Sequence, residues 1–475
     1  MDTFKSNKLN NLLSELDNSK ISYVSWKNNH QLHSVFLGRG DLDIFVPPQE
    51  RSRFVSLCRS HDWIEMVNPV AKNPWIAHFY RLGENCEIFH MHVYFKVITG
   101  ETWIKEYCIP IDNWLIENRI WNQDYGLWVM GNSSQAYLFL MRHLLKCGSI
   151  SSRLLYRREL CSYQDEWTVC STGIKPHDIK GPIDLTKYID GAGVLGKNLK
   201  LPKIWTAFLF RVSFFPYLRY KFFLLSFYRI YSFVLRFLNK IYFKQNKLFP
   251  QIGLTIAISG VDGSGKTTML EEVENIFGQF LTIERFHLGR PQGKLIEFIW
   301  RAFGNRSENS KMSGTLEVTT PTGKGRAING AILSLLRLSK ARSIVNKTYN
   351  GGLMLVDRWP TDEVGKMDGP RIIIGESSGL IERLSKKIEF WSYSQMPKAD
   401  ICYFFTVSLE EATERNRSRI KENKETDMMI SARFKSNLNY KPLARKVIRF
   451  NNSGDFKKKR KELFNSVWQE ISGRY

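Results

Sequence analysis

At 475 residues the chain is longer than one hydrophobic core organises, so two or three domains are expected. Its 43% hydrophobic, 13% aromatic and 24% charged residues exclude a disordered or collagen-like chain. The 69 Lys and Arg outnumber 46 Asp and Glu to leave +23, which points to polyanionic partners: nucleotides, nucleic acid or an anionic membrane face. Seven scattered cysteines with no Cys-x-x-Cys pair disfavour a disulfide framework or a zinc site and suit a reducing cytosol. Residues 1–20 hold no secretory apolar region, and no apolar run reaches the ~18–20 residues of a spanning helix, so the expected location is cytoplasmic, with a peripheral place at the inner membrane face left open.

Residues 1–165 read as a small α+β domain: a helix over 5–17, strands over 21–26, 42–47 and 87–98, and a helix over 50–60. In Arg39-Gly40-Asp41-Leu42-Asp43-Ile44-Phe45-Val46 two carboxylates at i and i+2 share one face of a strand, where they could hold a divalent metal. The segment resembles the G-x-x-D-x-D strand of the nucleotidyltransferase superfamily, with Ser25-Trp26-Lys27-Asn28 standing where that family has Gly-Ser. That family carries a third carboxylate on a later strand; here E-I-F-H-M-H-V-Y-F offers His90 and His92 instead. A metal-binding domain and a degenerate or structural one both stay open.

From 134 to 165 the pattern is helical, and residues 166–250 read as a connector, rich in Gly, Pro and Asp over 171–200. Its end is unusual. Over 201–250 nine cations (Lys203, Arg211, Arg219, Lys221, Arg229, Arg236, Lys240, Lys244 and Lys247) occur without one Asp or Glu, interleaved with Trp and Phe. Two readings follow: a linker helix whose rings dock on a neighbouring domain, or an amphipathic helix on an anionic membrane surface. Nucleic acid is disfavoured, because no recognition module accompanies the charge.

Residues 251–475 start with a strand over 254–259 that enters Gly260-Val261-Asp262-Gly263-Ser264-Gly265-Lys266-Thr267 and then a helix over 266–277. This is the G-x-x-x-x-G-K-[ST] pattern. Backbone N–H groups of such a loop cradle phosphates, its lysine reaches the β/γ-phosphates, its hydroxyl serves Mg²⁺, and the helix N-terminus adds its dipole. The cofactor-binding set is therefore Gly260, Gly263, Ser264, Gly265, Lys266, Thr267 and Thr268. A polar stretch over 305–326 reads as a mobile loop, followed by a helix over 327–348. Ninety-one residues beyond Lys266, the strand Leu353–Val356 ends in Asp357-Arg358, an acid for the metal's water shell or the acceptor and a clamp for phosphate. After a strand over 401–407 come Arg415, Arg417 and Arg419; the first and last share a helix face suited to a lid over transferring phosphates. A strand over 447–450 leads into Asn451-Asn452-Ser453-Gly454, a turn expected near an adenine.

Together these motifs resemble the thymidylate kinase-like group of P-loop kinases over 251–475. The resemblance implies a P-loop NTPase fold, a parallel five-stranded sheet flanked by helices, preceded here by the smaller α+β nucleotidyltransferase-like domain. It also implies ATP and Mg²⁺ as donor, with Asp262 facing the acceptor's sugar hydroxyl and Arg358 on phosphate. Two departures fall on the acceptor side: Ile258-Ser259-Gly260 where the family has F-E-G, and His287-Leu288-Gly289-Arg290-Pro291 where it has R-E-P-G. The expected catalytic set is Lys266, Asp262, Asp357, Arg358, Arg415 and Arg419, acting on a nucleoside monophosphate or a sugar or glycan acceptor. Two-part chains of this kind also resemble kinase-like proteins of bacterial surface-polysaccharide loci. The alternative is a nucleotide-gated regulatory protein with no acceptor.

Overall fold

The computed structural model describes residues 8–70, 72–102, 104–196, 198–261, 263–289, 321–417, 431, 434–435, 437 and 439–475. The chain divides into two units, residues 1–245 with 468–475, and residues 246–467.

In the first unit seven strands form one sheet in the order β3-β4-β5-β2-β1-β9-β8. They are β1 (Val24–Ser25), β2 (Asp41–Phe45), β3 (Ile64–Met66), β4 (Ile76–Leu82), β5 (Ile88–Tyr94), β8 (Arg119–Asn122) and β9 (Leu127–Met130). A separate antiparallel pair is made by β6 (Val97–Thr99) and β7 (Tyr107–Ile109). The helix Lys8–Asn18 buries Leu9, Leu12, Leu13 and Leu16, spaced as one helix face, in a core shared with Phe54 and Phe95. The single strand expected over 87–98 breaks at Phe95 and Lys96. Phe95 packs into that core and Val97 into a second one built around the helix Asn132–Lys146, so the chain bends where it passes between them.

The stretch read as a connector from residue 166 is part of the second core. Trp167, Cys170, Leu185, Ile189, Phe210 and Phe214 are buried there, and Glu166 pairs with Arg142. Gly, Pro and Asp set its turns, but regularly placed apolar residues between them supply the packing. The helix Phe222–Leu238 differs sharply, burying only Leu225. Among the described residues no helix is long and apolar enough to cross a membrane.

The second unit holds a five-stranded, wholly parallel sheet in the order β11-β12-β10-β13-β14. Its strands are β10 (Leu254–Gly260), β11 (Ile283–His287), β12 (Leu353–Asp357), β13 (Ala399–Thr406) and β14 (Ala444–Asn451). The middle strand β10 is buried along its whole length, which explains its nearly unbroken run of small and apolar residues. The edge strand β11, I-E-R-F-H, is half charged, and its hydrophobic pattern alone did not mark it. The long helix runs Lys324–Lys347, three residues earlier than expected at its start. Of the loop expected over 305–326, residues 305–320 lie outside the described residues.

Candidate functional site

β10 ends at Gly260 (φ 138°), where an added Cβ would lie 2.3 Å from the Phe405 carbonyl oxygen on β13. Only glycine lets the chain leave the sheet at that point. At Gly265 (φ 82°) a Cβ would meet Asn452 Nδ2 at 2.6 Å. Between them the loop closes on itself: Ser264 Oγ and Lys266 Nζ each donate to the Val261 carbonyl at 2.7 Å. Lys266 is buried, whereas Thr267 and Thr268 stand exposed in the first turn of the helix Lys266–Phe277. That turn presents N–H groups with no partner inside the helix, and with the lysine it makes a cradle for anionic oxygen. Asp262 lies outside the described residues.

Strand register brings the acid to the loop. Asp357 is the partner of Ile258 on β10 and of His287 on β11, and His287 Nδ1 lies 3.2 Å from Asp357 Oδ2. Burial alone would raise the Asp357 carboxyl; the His287 hydrogen bond and the charges of His287, Arg358 and Lys266 outweigh it and hold it below its ordinary value. Its other oxygen, Oδ1, is buried without a hydrogen-bond partner among the described residues. An ionised carboxylate with one bare buried oxygen beside a phosphate cradle fits a divalent cation.

Arg358 follows in the left-handed region (φ 69°), a conformation costing a side-chain-bearing residue about 1–2 kcal/mol. It is pinned from both sides. The Arg358 N–H donates to the Ile258 carbonyl at 2.9 Å, and the buried Trp359 donates its N–H to Ser259 Oγ at 2.9 Å. Ser259 thus anchors the Asp-Arg turn. The Arg358 guanidinium reaches Asp368 Oδ2 at 3.7 Å, and Asp368 is itself paired with buried Arg337 at 2.9 Å.

On the other side of the loop, Arg415 donates to Glu411 Oε1 at 2.7 Å and to the Asn452 carbonyl at 3.0 Å, while Asn452 Nδ2 donates to the Ser264 carbonyl at 2.7 Å. The turn over 451–454 therefore braces the phosphate loop, a role its sequence did not announce. Arg419 lies outside the described residues. Asp368 is the site residue that the sequence motifs pass over, while His287, Asn452 and Ser259 lie within those motifs and take roles the motifs do not assign.

The acidic pair of the first unit is placed differently. β2 and β5 are parallel neighbours, with Asp41 opposite His90 and Asp43 opposite His92. His90 Nδ1 lies 2.6 Å from Asp41 Oδ1. Buried Asp43 receives Lys27 Nζ at 2.8 Å, His92 Nδ1 at 3.1 Å and Asn28 Nδ2 at 2.7 Å. Burial opposes the Asp43 charge, but Lys27 and His92 outweigh it and hold the carboxyl far below its ordinary value. Burial pushes the His92 ring down to about 3. Lys27 also donates to Tyr94 OH at 3.0 Å, as Lys105 does at 3.2 Å. A lysine ammonium thus sits on the carboxylate that a metal would need. Among the described residues no group of three His, Cys, Asp or Glu could hold a metal ion.

No family model matches the chain. Over 154 residues it is 30% identical to YghS, an uncharacterised ATP-binding protein of Escherichia coli K12, covering 30% of this chain and 65% of that protein. Over 152 residues it is 29% identical to YghR of the same organism, covering 30% and 59%. The chain thus spans less than two thirds of the length of these curated relatives. A solved thymidylate kinase from Candida albicans is 15% identical, with 46% of this chain and 93% of that chain covered and a TM-score of 0.29. The class assignment rests on the molecule itself. An all-parallel sheet whose central strand runs into a glycine-bounded, lysine-bearing loop, with Asp357 on the neighbouring strand, defines an α/β unit of the P-loop type.

Proposed function

We propose that residues 246–467 form an ATP- and Mg²⁺-dependent phosphotransferase of the thymidylate kinase-like type, passing the γ-phosphoryl group to a nucleoside monophosphate or to a sugar or glycan acceptor such as surface-polysaccharide synthesis uses. The observation that carries this reading is the juxtaposition of a buried Lys266 in the phosphate loop with ionised Asp357, whose buried Oδ1 has no hydrogen-bond partner among the described residues. The E. coli relatives' description as ATP-binding supports ATP as the donor.

Lys266 and the loop N–H groups would receive the donor's β/γ-phosphates, displacing the Val261 carbonyl from the ammonium. Thr267 and Asp357 are the residues that would hold Mg²⁺, whose contribution is to neutralise phosphate charge. Arg358, fixed by its turn, and Arg415, fixed by Asn452, supply positive charge from two sides to the group in flight. The acceptor oxygen forms the new bond to the γ-phosphorus as the bond to the β–γ bridging oxygen breaks, leaving ADP; a phosphate acceptor has no proton to lose, and a hydroxyl acceptor releases its proton to solvent. Catalysis here is positioning plus electrostatics.

The test is transfer from labelled ATP by the full chain to a panel of nucleoside monophosphates, free sugars and lipid-linked glycans. A labelled acceptor that disappears with Lys266→Ala is expected. ATP binding with no labelled product anywhere in the panel would replace this reading with a nucleotide-gated switch.

A further inference from the structure

We propose that the helix Phe222–Leu238 and the turn Asn239–Phe243 form a docking surface for an anionic lipid bilayer. The helix is mounted inside out. Leu225, Tyr228, Arg229, Ser232, Leu235 and Arg236 recur at intervals of three and four and form its covered stripe. Both arginines of the helix lie on that stripe, and Arg229 reaches Glu101 at 3.4 Å and Glu106 at 3.3 Å, carboxylates that also hold Arg211. The opposite side carries Phe223 (74% exposed), Phe227 (63%), Ile230 (65%) and Phe237 (53%), and the turn continues it with Tyr242 (78%). A surface helix in water has the reverse polarity, apolar inward and charged outward. A contiguous exposed apolar face of this kind marks a partner that accepts it.

The cations choose the partner. Over 201–250 the four arginines are buried or half-buried, whereas Lys203, Lys221, Lys240 and Lys244 are exposed. Lys203 precedes the helix Ile204–Ser213, Lys221 precedes Phe222, and Lys240 and Lys244 follow Leu238. Lysines therefore flank the apolar helix at both ends, where long stems can run along apolar surface and lift their ammonium groups to headgroup phosphate. A second copy of the same face would bury the rings but bring lysines against lysines, since 201–250 contains no Asp or Glu to meet them. An anionic bilayer satisfies both halves, with acyl chains for the rings and phosphates for the lysines. At 17 residues the helix lies in the interface rather than across it.

The experiment is co-sedimentation of the full chain with vesicles of phosphatidylglycerol and phosphatidylcholine, and with phosphatidylcholine alone, at low and high salt. The wild type should bind the anionic vesicles, more weakly but still measurably at high salt, because ring insertion is not screened. Phe223→Glu with Phe227→Glu and Tyr242→Glu should lower partitioning at least about tenfold at both salts. Lys221→Glu with Lys240→Glu should lower it on anionic vesicles only. All five side chains are exposed, so unfolding midpoints should stay near the wild type. A wild type that stays in the supernatant, or an aromatic variant that sediments as well as wild type, overturns the proposal. So does a dimer, seen by analytical ultracentrifugation, that the aromatic variant dissociates while vesicle binding is unmoved.

Discussion

Asp357 and Asp43 occupy matching positions in the two units: each lies on a parallel strand with a histidine as its register partner across the next strand, His287 for one and His92 for the other. What remains unbalanced around them differs. Asp43 Oδ1, like Asp357 Oδ1, has no well-aligned hydrogen bond among the described residues, but the Lys27 ammonium lies 2.8 Å from it and Asn28 donates to Oδ2, so its charge is answered within the chain. Asp357 gives one oxygen to His287 and keeps the other buried with no hydrogen-bond partner among the described residues, next to a loop whose lysine donates to the Val261 carbonyl. The contrast shows that strand-borne acids of equal sequence appeal are separated by the cation the fold does or does not deliver to them. A completed pair holds structure together; an incomplete one favours an incoming ligand.

Five measurements test that contrast. The largest effect belongs to Lys266→Ala, which should cut phosphoryl transfer roughly 100- to 1,000-fold while the unfolding midpoint stays close to wild type. Undiminished ATP turnover in the variant would remove the P-loop from the mechanism. Asp357→Asn comes next, with a loss of about 100-fold and a weakened response to added Mg²⁺, read from rates across a metal titration. If Asp357→Asn keeps the wild-type metal response, the bare oxygen is not a cation site.

In the first unit the cost should appear as stability instead. Lys27→Met leaves Asp43 charged, buried and without its ammonium, a loss of about 3–5 kcal/mol in urea unfolding, much of it recovered when Asp43→Leu is added. Asp41 is half exposed with His90 as its partner, so Asp41→Ala should cost less than about 1 kcal/mol and leave phosphoryl transfer unchanged. Metal-dependent nucleotidyl transfer that depends on Asp41 and Asp43 would overturn the structural reading of this pair.

The smallest effect is one of pH. Burial, with Arg142 and Lys27 nearby, pushes the Lys146 ammonium from 10.5 down to about 7. Between those values the unfolded chain holds a proton that the folded chain has released. Stability from this group therefore rises with pH across that window, since ν in the unfolded state exceeds ν in the folded state. Urea midpoints of wild type and Lys146→Met measured from pH 7 to above pH 9 should diverge in favour of the wild type as pH rises. Parallel curves would mean that Lys146 ionises as it does in the unfolded chain.

Much of the second unit was readable in the residues. β10, the loop and the helix Lys266–Phe277 fall within a residue or so of where the apolar run, the glycines and the amphipathic spacing put them, because each obeys a local rule. β12 and its terminal Asp-Arg were equally plain. β11 was not, since Glu284, Arg285 and His287 break the apolar pattern on an edge strand whose exposed positions tolerate charge. In the first unit short strands such as β3, three residues long, carry too little sequence to show a period and exist through pairing with a neighbouring strand.

Local patterns in the residues specify the phosphate loop, the central strand that feeds it and the acid that ends β12, because glycine freedom, burial and helix-terminus charge act over a few neighbouring residues. They also place cations without acids over 201–250. Tertiary structure alone decided which groups complete one another: Asn452 on the carbonyl of Ser264, Ser259 under Trp359, Lys27 on Asp43, and arginines inward with aromatic rings outward on Phe222–Leu238. Those partners lie tens to hundreds of residues apart, or on opposite sides of one helix. No local pattern encodes them, since a side chain's charge is balanced by what the folded chain brings within a few ångströms of it.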